Sequence, residues 1–269
     1  MAYGLPRQGE GAAAEPTEAD VARLVESALD RGIETFDTAP AYGVSEARLG
    51  AALGGRGRIW TKVSTGDPRA SLDASLSRLR RSNVELLSWH NWTSTLASDD
   101  RWTTSWKAAR SAGAARLGAT TYGVADALAA VESGLFDVVQ VEYNLLNQRV
   151  VRAIGETAAR RSVEIAVRSV YLQGALTDEG RELPDLAPLR RGVAAARSCA
   201  EAIGLTTLAL RAALEQKNIG YVVLGFDRTE QIDAAVRIAA GPVLPPEIAS
   251  QVDALDLDGD PACDPRSWR

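Results

Sequence analysis

Short apolar segments alternate with amphipathic helical segments along almost the whole chain, and this alternation restricts the fold more than any other feature. The strand candidates are apolar on both sides, unlike the strands of a half-exposed sheet. They lie at Ala2–Leu5, Ile33–Phe36, Arg58–Val63, Val84–His90, Ala115–Ala119, Asp137–Val141, Val163–Arg168 and Gly220–Gly225. Buried strands separated by helices predict a parallel sheet with crossover helices.

The number of strand candidates and the chain length together predict how this sheet closes. Eight strands in 269 residues favour a closed (β/α)₈ TIM barrel of the α/β class over an open doubly wound sheet. We find no internal repeat and no low-complexity linker, so residues 1–269 are predicted to form a single domain. Residues 241–269 are predicted to be a C-terminal tail, in which the acidic stretch Asp253–Asp264 forms a solvated end.

Charge and hydropathy exclude several classes of partner. The 30 basic residues are spread along a chain of net charge -5, which indicates no nucleic-acid surface, and no apolar run approaches the ~20 residues of a membrane span. We therefore expect a small-molecule partner and a monomer or weak homo-oligomer. Cys199 and Cys263 form no ligand-spaced pair, so we expect no metal site and a reduced, cytoplasmic protein without a signal peptide.

One predicted strand runs directly into a loop that carries a carboxylate and a phenol. The strand begins after Gly32, which is suited to ending the preceding helix, and it places Asp37 at its carboxyl end. Pro40 prevents an immediate helix, so Tyr42 is expected on irregular chain just outside the sheet. Ser45 is predicted to be the N-cap of the next helix.

The next two strands also end in polar residues. Lys62 lies at the end of one, and His90 ends the other. Catalytic groups of (β/α)₈ barrels lie at the carboxyl ends of strands, so Asp37, Tyr42, Lys62 and His90 are predicted to share a site. Lowering a tyrosine pKa from ~10 to ~7 requires about 4 kcal/mol, and a cation at ~4 Å supplies about this much at an effective dielectric of ~20. Lys62 is therefore expected to lower the pKa of Tyr42 and make it a working acid.

Each of these residues also has a structural explanation when taken alone. Asp37 could cap a turn, Tyr42 could be a loop aromatic and Lys62 a solvated strand end, whereas His90 could be a core residue. Four such residues at three consecutive strand ends favour the catalytic interpretation. Trp102 and Trp106, which are four residues apart, could pack a helix against the barrel, and equally all four tryptophans near His90 could line a substrate pocket. The four are Trp89, Trp92, Trp102 and Trp106.

These residues carry a resemblance to a known family. The segment FDTAPAYGVSEARLG, from Phe36 to Gly50, resembles the signature of the aldo-keto reductases, which are (β/α)₈ barrels that reduce carbonyls with NAD(P)H. The likeness continues in order through Thr61-Lys62, Trp89-His90, Leu117-Gly118, QVEYN from Gln140 and RSVYLQG from Arg168. It covers roughly residues 17–240.

The resemblance implies a role for each strand-end residue. Tyr42 would protonate the substrate carbonyl oxygen, Lys62 would tune its pKa, Asp37 would pair with Lys62, and His90 would orient the carbonyl. The cofactor would be NADPH or NADH. Its nicotinamide and pyrophosphate contacts are implied at Thr120, Thr121, Gln140, Arg168, Ser169, Leu172 and Gly174, and its adenosine contacts at Gly225, Asp227, Arg228 and Gln231.

The sequence departs from the family pattern in two places, at the N-terminal hairpin and at the pocket for the adenosine 2′-phosphate. In that pocket only Arg228 is suited to holding a phosphate, whereas Asp227 and Glu230 would repel it and could accept hydrogen bonds from ribose hydroxyls. Two alternatives to a carbonyl reductase follow. One is a non-redox isomerase, dehydratase or lyase that uses the same four residues, and the other is a binding or regulatory subunit with this fold.

Overall fold

The strands of the molecule run parallel in a single curled sheet. The computed structural model describes residues 16–64, 66–98, 100–257 and 259–268. Within these ranges the sheet has seven strands, each hydrogen-bonded to the next in chain order. They are β1 Thr35–Asp37, β2 Arg58–Val63, β3 Val84–Trp89, β4 Ala114–Thr120, β5 Val138–Glu142, β6 Glu164–Arg168 and β7 Ile219–Val222. The strand predicted at Ala2–Leu5 lies outside the described residues.

Helices follow the strands and cover the outside of the sheet. They are α1 Glu18–Asp30, α2 Ser45–Leu53, α3 Pro68–Leu79, α4 Asp100–Ala108, α5 Gly123–Glu132, α6 Arg149–Arg161, α7 Ala187–Cys199, α8 Leu205–Glu215, α9 Thr229–Ala240 and α10 Pro246–Val252. Parallel strands joined in order by helical crossovers curl into a barrel. The predicted α/β barrel class is confirmed. β1 and β7 face each other across an apolar gap of about 280 Å³, which α1 and α9 also line.

Apolar side chains fill both the inside of the curled sheet and the layer between sheet and helices. Inside, Trp60, Leu86, Val138 and Ala166 form a small buried cluster against Tyr221, one residue from each of five strands. The Trp60 and Tyr221 rings meet edge to face with centroids 4.8 Å apart. This packing fills the barrel below the carboxyl ends of the strands, so polar groups above it stand on a rigid floor.

The tryptophans pack a helix against the sheet. Trp102 and Trp106 of α4 stack with ring centroids 5.5 Å apart, and Trp89 at the end of β3 meets both rings edge to face. Trp92 contacts Phe136, which also contacts Trp106. All four tryptophans are buried. The helix-packing interpretation of Trp102 and Trp106 is therefore confirmed, because both rings are buried against Trp89.

The C-terminal tail packs onto the barrel. Val252, Leu255, Cys263 and Trp268 are buried. The backbone of the tail is tied to the turn before α6, where Leu257 N donates to Leu146 O at 3.0 Å. The prediction of a solvated acidic end is wrong. Arg152 of α6 forms ion pairs with Asp253 and Asp256, so the acidic residues that suggested solvation instead anchor the segment.

Candidate active site

The loop after β1 holds Tyr42 in a defined position above the sheet. Thr38 N donates to Trp60 O at 2.9 Å, which continues the β1–β2 pairing one residue beyond Asp37. Tyr42 N then donates to Ala39 O at 3.0 Å in a turn that continues through Gly43, whose φ of 60° favours glycine. Ser45 is the first residue of α2 and not its N-cap, because its hydroxyl pairs with the Thr38 hydroxyl at 2.9 Å.

Lys62 and Asp37 form a buried ion pair at the ends of adjacent strands. Lys62 Nζ donates to Asp37 Oδ2 at 2.6 Å and to Thr38 O at 2.9 Å, and its side chain is only 2% exposed. The parallel register places Asp37 beside Trp60, so Lys62 reaches across to Asp37 from two residues further along β2. A buried ammonium is tolerated when it is both paired and hydrogen-bonded, and here both conditions hold.

Tyr42 lies beside this ion pair and keeps its proton. Lys62 Nζ is 5.2 Å from the centroid of the Tyr42 ring. Burial raises the pKa of Tyr42 above its ordinary value, and the positive charges of Lys62 and Arg168 offset only part of this effect, because Asp37 opposes them. Lys62 lowers this pKa, as expected from the sequence, but burial raises it by more. The net lowering that would make Tyr42 a stronger acid is therefore not found, because the phenol is desolvated and the Asp37 carboxylate opposes the cation.

His90 follows β3 and faces Tyr42. The two rings meet edge to face with centroids 6.0 Å apart, and His90 Nδ1 lies 3.5 Å from Ser64 Oγ. Burial, and then the charge of Lys62, lower the pKa of His90 to about 4. The imidazole is therefore neutral at pH 7 and carries a single N–H. The structure brings all four predicted catalytic residues together at the carboxyl ends of β1, β2 and β3.

A large groove opens beyond β6 and β7 at the same end of the barrel. Its volume is about 1750 Å³, and the loop after β6, the N-terminal part of α9 and the C-terminal tail line it. Seven of the residues predicted to bind a cofactor line this groove. They are Ser169, Leu172, Gly174, Gly225, Asp227, Arg228 and Gln231.

Two features of the groove wall concern the predicted residues directly. Ser169 and Leu172 adopt positive φ angles of 66° and 46°, in a tight turn where Leu172 N donates to Ser169 O at 2.9 Å. Non-glycine residues seldom adopt this conformation, and such strain is concentrated at functional sites. At the other wall, Gln231 Oε1 accepts hydrogen bonds from Asp227 N at 2.8 Å and Arg228 N at 3.3 Å. Gln231 thus shapes the start of α9.

The other four predicted cofactor residues lie at buried strand ends and do not line the groove. Thr120 and Thr121 are buried, and the Thr120 hydroxyl accepts from Asn91 N at 2.8 Å. Gln140 Nε2 faces Asp37 Oδ1 at 3.4 Å. Arg168 Nη2 donates to Thr121 O at 3.0 Å, and the charge of Arg168 lowers the pKa of both Tyr42 and His90, so this residue lies close to the four predicted catalytic residues.

Sequence reasoning missed the residues that surround Arg168. The guanidinium of Arg168 lies 4.3 Å from the Tyr122 ring centroid, and that of Arg266 in the tail lies 3.4 Å from it. Glu142, the last residue of β5, forms an ion pair with Arg168 at 3.5 Å. The strand-end rule could have found Glu142 and Tyr122, since one ends β5 and the other comes two residues after β4. No local signal indicates Arg266.

The described helices include none that is both long enough and apolar enough to cross a membrane. In the same part of the chain, no three histidine, cysteine, aspartate or glutamate side chains cluster closely enough to hold a metal ion.

Comparison with known proteins identifies the family. A search of curated proteins gives no significant match. The aldo-keto reductase AKR11C1 from Bacillus halodurans is similar in fold: its holo form has a TM-score of 0.79 at 20% identity over 94% of this chain and 91% of that one. Its apo form has a TM-score of 0.73 at 22% identity over 89% and 87%. PA4992 from Pseudomonas aeruginosa has a TM-score of 0.66 at 24% identity over 86% and 85%. The model of the Aldo/keto reductase family matches residues 1–257, so the chain belongs to this family of NAD(P)-dependent oxidoreductases.

Proposed function

We propose that this protein reduces an aldehyde or ketone, or oxidises the matching alcohol, with Tyr42 as the general acid and base. The observation that carries the proposal is a protonated phenol beside a buried Lys62–Asp37 ion pair, with a neutral imidazole facing its ring. A proton donor, a cation to stabilise the resulting phenolate and a second N–H donor are the groups that carbonyl protonation requires.

The residues around Arg168 fit a nicotinamide dinucleotide. Thr121 Oγ1, Glu142 Oε2 and Arg168 Nη1 are buried and lack hydrogen bonds, although the last two face each other as an ion pair. Such groups suit a polar ligand such as a carboxamide, provided that a small rearrangement exposes them. The groove beyond them accommodates an extended molecule, and the strained turn from Ser169 to Leu172 lies on its wall. When bound, a reduced nicotinamide supplies a hydride to the carbonyl carbon.

The protein groups supply the proton and the orientation. His90, neutral above a pKa of about 4, donates its N–H to the carbonyl oxygen and does not compete with Tyr42 as an acid. The Tyr42 hydroxyl then transfers its proton to that oxygen as negative charge develops there. Lys62 stabilises the phenolate left behind, and Asp37 holds Lys62 in place at 2.6 Å. In alcohol oxidation the same phenolate removes the proton, so oxidation requires Tyr42 to be ionised beforehand.

The proposal is tested by nucleotide binding followed by turnover. NADH and NADPH are titrated against intrinsic tryptophan fluorescence and by calorimetry, and reduction of an aromatic aldehyde is followed by nicotinamide absorbance. We expect binding of at least one nucleotide, and turnover that depends on Tyr42. Binding of neither would remove the redox proposal. Tyr42-dependent turnover of a substrate without nicotinamide would instead support the non-redox alternative, and binding without turnover would support a regulatory subunit.

A further inference from the structure

An ion pair joins the two walls of the groove. Arg228 Nη2, at the N-terminus of α9, donates to both carboxylate oxygens of Glu179, at 2.6 and 2.8 Å. Glu179 belongs to the loop between β6 and α7, and both residues line the groove. The guanidinium of Arg228, which the sequence predicts as a phosphate ligand, is thus already paired with the Glu179 carboxylate.

Hydrogen bonds hold the backbone on both sides of Glu179. Asp178 Oδ1 accepts from Leu205 N at 2.6 Å, which attaches the loop to the start of α8. Gly180 N donates to Thr177 Oγ1 at 3.2 Å, and that hydroxyl donates to Gly174 O at 2.8 Å. Gly180 has a φ of 67°, a left-handed conformation that favours glycine, so a side chain at this position would strain the loop backbone.

The backbone of Arg228, the partner of Glu179, is also held by a hydrogen bond. The backbone N–H of Arg228 donates to Gln231 Oε1 at 3.3 Å at the N-terminus of α9. Because both backbones are restrained, pairing costs only the rotamer freedom of the two side chains, and the pair forms more readily than one between two mobile loops.

The charges beside this pair disfavour a further anion. Asp227 and Glu230, which lie close to Arg228 in the sequence, also line the groove. Its other lining cations include Arg237, more than two turns further along α9, and Arg149, Arg181 and Arg266 outside α9. A phosphate here would have to displace Glu179 from Arg228 and approach two carboxylates. Neutral ribose hydroxyls would instead find carboxylate oxygens that accept hydrogen bonds.

We infer that Glu179 is a specificity-determining residue that makes the protein prefer NADH to NADPH, because it neutralises Arg228 and excludes the 2′-phosphate. The inference rests on the proposed function and on the adenosine contacts that the family resemblance implies at Gly225, Asp227, Arg228 and Gln231.

The test substitutes the carboxylate and measures binding. In Glu179→Gln, the affinity for NADPH should rise about tenfold, since Arg228 is released for a charge-assisted hydrogen bond, whereas the affinity for NADH should stay within about twofold. Glu182→Gln is the matched control. It removes the same charge from an exposed residue that lies three positions away and outside the groove, and it should leave both affinities unchanged. Affinities are measured by fluorescence titration and calorimetry.

A double variant tests the route through Arg228. In Glu179→Gln/Arg228→Leu the gain for NADPH should disappear, and a gain that persists would overturn the inference. A wild-type protein that prefers NADPH, or an unchanged ratio in Glu179→Gln, would also overturn it. Titration with 5′-AMP and adenosine 2′,5′-bisphosphate separates this result from the proposed function. Failure of both dinucleotides to bind would remove the reductase proposal, while the two mononucleotides would still report whether Glu179 excludes the 2′-phosphate.

Discussion

Two ion pairs of equal length divide the functional end of this barrel into two regions. Lys62–Asp37 and Arg228–Glu179 both have N–O distances of 2.6 Å, yet the first pair is 2% and 15% exposed and the second is 54% and 72% exposed. A buried pair is costly to break because the remaining charge has no solvent, whereas an exposed pair contributes little to stability. The proposed catalytic end is therefore suited to fixed geometry, and the groove is suited to selection among ligands.

The largest effect should come from the proton donor at the catalytic end. Tyr42→Phe removes the transferred proton and should lower kcat/KM for carbonyl reduction about 10³-fold, without weakening nucleotide binding in the groove. Steady-state kinetics and fluorescence titration measure the two quantities separately. Tyr143→Phe is the matched control, since Tyr143 is buried and its hydroxyl contacts Ala212 O away from the site. Near-normal turnover by Tyr42→Phe would exclude this residue from the chemistry.

Breaking the buried ion pair should lower the free energy of unfolding by more than breaking the exposed one. Lys62→Met removes the cation that faces the Asp37 carboxylate and should lower the free energy of unfolding by about 3 kcal/mol, whereas Glu179→Gln should lower it by less than about 1 kcal/mol. Urea denaturation measures both values.

The double variant Asp37→Asn/Lys62→Met provides the control for this comparison. It should recover much of the lost stability but none of the activity, because the buried carboxylate charge is gone while the proton-transfer site remains broken. Equal losses from the buried and the exposed single substitutions would contradict the distinction between the two regions.

The pH dependence should reflect only the catalytic end. The pKa of His90 is lowered to about 4 and that of Tyr42 is raised, so His90 stays neutral and Tyr42 stays protonated between them. The rate of reduction should be nearly constant from about pH 5 to 8, while that of oxidation should rise about tenfold per pH unit as phenolate forms. Initial rates in both directions provide the test. An oxidation rate that levels off near neutral pH would mean that Tyr42 ionises more readily than its burial implies.

The smallest effect should come from the edge of the groove. Arg266→Ala removes one of the two guanidinium groups on Tyr122 and should weaken nucleotide binding no more than about fivefold, as expected for an exposed cation–π contact. The pH dependence of reduction should not change. Arg160→Ala, on the exposed part of α6, is the control and should change neither quantity. A changed pH profile in Arg266→Ala would contradict the distinction between the regions, because it would mean that a residue of the groove affects the titration of His90 or Tyr42.

Sequence patterns were reliable where the interacting residues are close along the chain or fixed by the strand order. Asp37, Lys62 and His90 could be assigned to one site because parallel strands bring their carboxyl ends together, and each strand end was visible in the sequence. The pKa direction of Tyr42 was not predictable. It depends on whether burial raises the pKa by more than the charge of Lys62, which Asp37 opposes, lowers it. Burial is a property of the packed molecule.

The tail and the tryptophans show a second limit. The composition of residues 253–264 suggested solvation, but Arg152 on α6 compensates two of the acidic residues. The spacing of Trp102 and Trp106 fitted both a pocket and a packed helix, and only the stacked rings against Trp89 distinguish them. In both cases the deciding contact comes from another part of the chain.

The alternation of strands and helices, the family and the grouping of Asp37, Tyr42, Lys62 and His90 follow from the amino-acid sequence alone, because hydrophobic periodicity and strand order act over short segments. The groove depends on contacts that no short segment contains. Arg228 looked like a phosphate ligand until the fold placed Glu179, which is 49 residues away, against it. Electrostatic recognition depends on distances between side chains in space, and the tertiary structure alone determines those distances.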